Sequence, residues 1–265
     1  MQRLGIIALE CERLASLGFF CLGRSKRVDK CLISDNLETI AVYVEKNIKR
    51  LSKALLQNNI SYAVCTKKFT DKFGKLQLQG IEIIDGLPLY KQLLPEIIKK
   101  ASKLSLSPKQ QRVLAICGDD ADFAFSLMTK LCNDFRYVKV ISKNKKKVSE
   151  ISEKFLDELG IPVIMSNSSS RVKCDIAVKI ENQSLSVPKH TILIDGCAEH
   201  TITRKNTINW VDLSLCYNIP FDVDSLSIAQ ATQQLTGKKA HFKISAFRCG
   251  KNKTIFDMGK RIDNT

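Results

Sequence analysis

Between Arg112 and Ile194 the chain repeats one pattern, a short apolar run followed by a longer segment, and this limits its fold more than any other feature. Arg112–Cys117, Tyr137–Ile141, Ile161–Met165, Asp175–Val178 and Thr191–Ile194 are each four to six residues long and largely apolar, as buried strands are. After the first run, Phe123, Leu127, Met128 and Leu131 recur at helical spacing. Asp119 or Asp120 is placed to cap that helix, because a short carboxylate accepts bonds from unpaired first-turn amides. Val148, Ile151, Phe155, Leu156 and Leu159 mark a second helix, and Gly160 stands where a helix-ending glycine belongs. Strands alternating with helices build a parallel sheet covered on both faces. Right-handed crossovers then make it an open, doubly wound, Rossmann-like α/β arrangement. The gap between the third and fourth strands has room for only a turn or a degenerate helix.

Residues 1–108 are expected to form a second, smaller N-terminal α/β domain. Arg3–Ala8 reads as a strand, followed by a basic, polar stretch over Gly23–Asp35. Ala41, Val44, Ile48, Leu51 and Leu55 recur at steps of three and four, which predicts one helix ending at Asn58–Asn59. Ile60–Thr66 and Gly80–Gly86 read as strands. Pro88 opens a helix carrying Leu94, Ile97, Ile98, Ala101 and Leu104, interrupted or restarted near Pro95. The polar stretch Ser105–Gln111 contains Pro108 and marks the boundary, so the Rossmann-like domain takes residues 109–200. In residues 201–265, Trp210–Leu215 and His241–Phe247 read as strands. Between them a helix capped by Asp224 or Ser225 carries Ile228, Ala231 and Leu235 and ends at Gly237. This segment is expected to pack on one or both domains, with a loose polar tail beyond Gly250.

A hydrophobic content of 44% excludes a disordered chain. The longest apolar run, Leu14–Leu22, is too short to cross a bilayer. Glu10, Glu12 and Arg13 interrupt the place where a signal peptide would be hydrophobic. A soluble, cytoplasmic protein is expected. The ten cysteines form no CxxC pair, and several lie inside apolar stretches, so they read as reduced, buried small hydrophobes. With three histidines and no closely spaced Cys/His pairs, no zinc site is expected. The net charge of +15 suits a phosphate-bearing ligand, nucleic acid or an acidic membrane face, or reflects a lysine-rich proteome. No compact Arg-and-aromatic pattern accompanies the lysines. The expected partner is therefore a small molecule or nucleotide rather than nucleic acid or membrane, and a homodimer is left open.

In an open α/β sheet the ligand lies outside the carboxyl ends of the strands, where helix N-termini point their amides. The turn there is Cys117–Gly118–Asp119–Asp120–Ala121–Asp122–Phe123. A dinucleotide fingerprint wants glycine at 118, 120 and 123, and only Gly118 is one. Asp119, Asp120 and Asp122 instead oppose a pyrophosphate, unless it lies differently or a cation intervenes. After the second strand stands Ser142–Lys143–Asn144–Lys145–Lys146–Lys147, where an NAD site would carry an acid. That cluster suits a 2′-phosphate, hence NADP. It also suits a plain solvated face, since Glu150, Glu153 and Lys154 follow on the same helix. Ser166–Asn167–Ser168–Ser169–Ser170–Arg171 either holds a phosphate or ribose or simply forms a turn. The candidate cofactor-binding residues are Gly118, Asp119, Asp120, Ser142, Lys143, Asn144, Lys145 and Ser166.

The first strand with Gly118, Ser142–Lys143–Asn144 with its lysines, Cys174–Asp175–Ile176–Ala177–Val178 and Ile192–Leu193–Ile194–Asp195–Gly196 together carry a family likeness. On them, residues 113–197 resemble the NADP-binding domains of shikimate dehydrogenase and glutamyl-tRNA reductase. The resemblance implies a dinucleotide-binding domain, NADP as cofactor and an oxidoreductase, and leaves the catalytic residues unassigned. Other chemistries lack their motifs. There is no Gly-x-x-x-x-Gly-Lys-Ser/Thr loop and no Gly-x-Ser-x-Gly elbow. A receiver domain would need an aspartate after the third strand and a lysine after the fifth, where the chain has Ser166–Asn167 and Asp195–Gly196. Cys197, Glu199 and His200 lie beyond the fifth strand, either as a nucleophile with its base or as solvated loop residues. Two functions remain: a non-catalytic ligand-binding or interaction protein with a degenerate nucleotide turn, or an NADP-dependent oxidoreductase of the shikimate dehydrogenase-like group.

Overall fold

Alternate side chains of Leu37–Val44 enter two different cores. Leu37, Ala41 and Tyr43 join one, while Ile40, Val42 and Val44 join the other. This is the period of two of a strand buried on both faces, and it corrects the helix expected through Ala41 and Val44. The spacing of 41, 44, 48, 51 and 55 mixes strand residues with the apolar positions of a later helix.

The computed structural model describes residues 2–9, 28–34, 37–44, 51–135, 137–142, 144–166, 173–182, 185–197, 206–216, 221–238, 240–249 and 253–257. The chain divides into two units, Met1–Leu89 with Asp212–Lys243, and Tyr90–Val211 with Ile244–Thr265.

The first unit begins with β1 (Gln2–Leu9), β2 (Val28–Ser34) and β3 (Leu37–Val44). After them come α1 (Leu51–Gln57), β4 (Tyr62–Cys65), α2 (Lys67–Phe73) and β5 (Glu82–Ile83). Its sheet runs β2-β3-β1-β4-β5. The pairs β1 with β3, β1 with β4 and β4 with β5 are parallel, and β2 is an antiparallel edge. β2 falls within the stretch expected to be a polar connection. Leu51 and Leu55 of α1 and Phe69 of α2 cover one face. The other is covered by Ile228, Ala231 and Leu235 of a helix from the C-terminal segment, Ser225–Thr236. Burying a large aliphatic side chain stabilises by about 1.5–3 kcal/mol, which is ample reason for that distant segment to return here.

Helix α3 (Leu87–Ser102) runs through Pro95 without a break, correcting the interruption expected there. Proline removes one amide bond from the helix. Leu94, Ile97, Ile98 and Ala101 are all fully buried and hold the helix together across that gap.

The second unit contains β6 (Val113–Cys117), α4 (Ala121–Thr129), β7 (Tyr137–Ile141), α5 (Lys145–Leu159) and β8 (Val163–Ser166). Three further strands follow, β9 (Ile176–Lys179), β10 (Ile192–Asp195) and β11 (Thr207–Ile208). The sheet order is β11-β10-β9-β6-β7-β8, and every adjacent pair is parallel. Numbered within the sheet this is 3-2-1-4-5-6, the doubly wound Rossmann order, with its direction reversing between β6 and β9. The boundary stretch before β6 is fastened by Asp175. Its carboxylate accepts from Val113 N–H at 2.9 Å, Ser105 O–H at 3.2 Å and Ser107 O–H.

The remaining elements are β12 (Trp210–Leu215), α6 (Ser225–Thr236), β13 (Phe242–Cys249) and β14 (Lys253–Asp257). β12, β13 and β14 form a three-stranded sheet in that order. β14 lies in the tail expected to be loose, and pairs antiparallel with β13. No helix among the described residues is long and apolar enough to cross a membrane.

Candidate functional site

The carboxyl ends of five strands align in register. Ser166 pairs with Ile141, Ile141 with Cys117, Cys117 with Lys179 and Lys179 with Asp195. The reversal between β6 and β9 falls in the middle of this row, at the paired residues Cys117 and Lys179, and a doubly wound sheet receives its ligand beyond the carboxyl ends of its strands at such a reversal.

Gly118 opens the turn at φ +152, a backbone state that favours glycine. A Cβ on it would lie 2.4 Å from Ile180 Cγ1. Its N–H donates to the Ile141 carbonyl at 3.0 Å. The next amide, Asp119 N–H, donates to Glu181 Oε2 at 2.9 Å. Asp120 is the helix cap, its Oδ1 accepting from Phe123 N–H at 3.0 Å. Asp122 is exposed and pairs with Lys154 Nζ at 3.2 Å. Two of the amides a phosphate would use are thus already met by the protein's own carboxylates, Asp120 from the turn and Glu181 from beyond β9.

Ser142 is buried at the end of β7. Its hydroxyl donates to the Asp119 carboxylate and accepts from Asn144 N–H at 2.9 Å. The structure therefore brings Gly118, Asp119, Asp120, Ser142 and Asn144 together. α5 starts at Lys145 with no acidic residue in its first turn. Lys143 lies outside the described residues, as do the side chains of Lys145 and Ser166, although Ser166 closes β8 on the same edge. Residues 167–171, Glu199 and His200 also lie outside them. Cys197 N–H donates to Asp195 Oδ1 at 3.2 Å. Among the described residues no group of three His, Cys, Asp or Glu side chains is placed to hold a metal ion.

Three residues at this edge were absent from the sequence-based candidates. Glu181 sits on the Asp119 amide. Lys179 ends β9 at 4% exposure, and Asp195 ends β10 fully buried. Tyr90, also fully buried and stacked on Trp210, donates to the Asp195 carbonyl at 3.2 Å. A charged residue closing an apolar strand was the available signal for Lys179. Nothing local announced Glu181.

Burial pushes the Cys117 thiol from its ordinary 9.0 up to about 11, with Lys179 pulling it down and Asp119 and Glu181 adding to the rise. The folded chain therefore holds this proton more tightly than the unfolded one. The stabilisation is whole below pH 9 and is lost as pH climbs through about 11. Urea midpoints measured across that window should fall, and Cys117→Ala should flatten the fall. Identical slopes in the two chains would contradict the assignment.

No family model and no curated protein matches the chain. Solved structures give weak, partial resemblances to Rossmann-fold NAD(P)-binding oxidoreductases. The Thermococcus litoralis Δ1-pyrroline-2-carboxylate reductase, in complex with NADH and L-proline, is 18% identical with a TM-score of 0.27. That match covers 34% of this chain and 29% of the reductase. An archaeal alanine dehydrogenase dimer with bound NAD is 16% identical with a TM-score of 0.30, over 40% of this chain and 35% of that one. This chain therefore spans about a third of the length of each. The Listeria monocytogenes shikimate 5-dehydrogenase, in complex with shikimate and NAD, is 12% identical with a TM-score of 0.35, covering 91% of this chain and 93% of the enzyme.

Proposed function

We propose that the six-stranded unit takes a small ligand at the crevice between β6 and β9 without gripping a dinucleotide by its pyrophosphate, as a non-catalytic ligand-binding or interaction protein. The observation that carries this reading is the 2.9 Å contact between Asp119 N–H and Glu181 Oε2. A pyrophosphate would have to displace that carboxylate and then lie against Asp119, Asp120 and Asp122. Like charges about 4 Å apart near a protein surface repel by about 4 kcal/mol, comparable with what a good phosphate contact returns. Free thiols at Cys65, Cys117, Cys174 and Cys249 support placing the protein in a reducing compartment, the cytoplasm.

A second reading, an NADP-dependent oxidoreductase of the shikimate dehydrogenase-like group, has its own support. β7 is followed by Ser142 rather than an acid, and α5 opens on lysines with no carboxylate in its first turn. The 3-2-1-4-5-6 order serves it equally well. Calorimetric titration with NADP and NAD separates the two. The first reading expects no binding heat from either at millimolar concentration, and a gain in NADP affinity in Glu181→Gln. Tight NADP binding by the unaltered chain, lost when Lys143 and Lys145 are both replaced, would overturn it in favour of the oxidoreductase.

A further inference from the structure

We propose that the cleft at the amino ends of β1 and β4 is a second binding site, for a neutral polyhydroxylated ring of monosaccharide size. β1 begins its pairing with β3 at Gln2, but its pairing with β4 only at Leu4, opposite Tyr62. Gln2 and Arg3 therefore overhang the start of β4. The chain arriving from α1 turns into that strand through Asn59, at φ +57, Ile60 and Ser61. At the overhang lies a cavity of about 430 Å³ lined by Gln2, Arg3, Asn59, Ser61, Tyr62 and Leu235. All six residues belong to the first unit. The volume falls in the range of small-molecule sites.

Arg3 is held in place before any ligand arrives. Its Nε–H donates to Glu38 Oε2 and its Nη1–H to the Asn58 carbonyl, both at 3.0 Å. A guanidinium carries further N–H donors in the same rigid plane, so those left for a ligand are already oriented. Glu38, whose side chain is 11% exposed, also answers the arginine's charge. No other lining residue is charged. A phosphate or carboxylate would bring a second negative charge toward Glu38, so the ligand that fits is neutral. The carboxamides of Gln2 and Asn59 and the hydroxyls of Ser61 and Tyr62 each donate and accept. None of these four groups is engaged in a hydrogen bond among the described residues. Vicinal hydroxyls, which also donate and accept, match that set. Tyr62 and Leu235 pack with the core cluster of this sheet and supply the apolar contact that the C–H face of a sugar ring requires.

Saturation-transfer NMR on the full chain tests the site, with the methyl glycosides of glucose, galactose and mannose at millimolar concentration as probes. At least one glycoside should receive saturation on its ring C–H protons. Ser61→Trp should lose that transfer, because an indole placed at this exposed position fills the cavity. Backbone amide shifts of the unaltered chain give a second reading that needs no variant, and the glycoside should move the signals of Arg3, Asn59, Ser61, Tyr62 and Leu235. Absence of transfer to all three glycosides, equal transfer in both chains, or shifts confined to other residues would overturn the proposal. So would displacement of the glycoside by an equal concentration of inorganic phosphate, which would show the Arg3 charge to be open. These outcomes are independent of the NADP titration, which concerns the other sheet.

Discussion

Gly118→Val is expected to cost about 2–6 kcal/mol of folding stability, the sum of backbone strain and overpacking. Both terms act at one atom. A φ of +152 is a state that a β-branched residue adopts only under strain. The new Cβ would stand 2.4 Å from Ile180 Cγ1 and 3.1 Å from Ile180 Cδ1 before the rest of the valine is placed. Glu181 Cγ lies 3.4 Å away, so relief of the clash moves the residue whose carboxylate holds the Asp119 amide. Urea unfolding followed by circular dichroism should show the loss, with Gly118→Ala losing less. A Gly118→Val chain within about 1 kcal/mol of the original would mean that the turn yields easily. The self-supplied anion would then be a poor argument about ligands.

This glycine was legible in the sequence, though for another reason. It stood out as the surviving member of a dinucleotide fingerprint, while the structure uses it for the approach of the chain leaving β9. Local chemistry was read well. Asp120 caps α4 and Asp224 caps α6, and Gly160 and Gly237 take positive φ just past their helices, because caps depend on residues within one turn. The alternation after Arg112 gave the parallel sheet because buried strands and helices differ in length and period. Residues 41–55 misled because a strand buried on both faces has no polar face to betray its period. The packing of α6 on the first sheet and the placing of Glu181 against Asp119 join segments 62 or more residues apart. Spacing along the chain carries no information about such meetings.

Phe155→Ala should cost about 3–5 kcal/mol, the price of a large buried aromatic side chain and the cavity it leaves. Phe155 is fully buried and meets Phe125 of α4 at a centroid distance of 5.8 Å. α5 has few other anchors. Val148 and Ile151 are buried, whereas Leu156, which the sequence placed on the same stripe, is 56% exposed. Leu156→Ala is therefore the matched control and should stay within about 0.5 kcal/mol of the original. The comparison also bears on the site, because α5 begins directly after the Ser142 turn that holds the Asp119 carboxylate. If Phe155 fixes α5 to the sheet, amides of Lys146–Ile151 should exchange faster in Phe155→Ala while those of β6 keep their protection. Loss of protection in β6 as well would make α5 and the sheet one cooperative unit, and the lysines at the helix start would then have to be treated as part of the turn rather than as a separable surface.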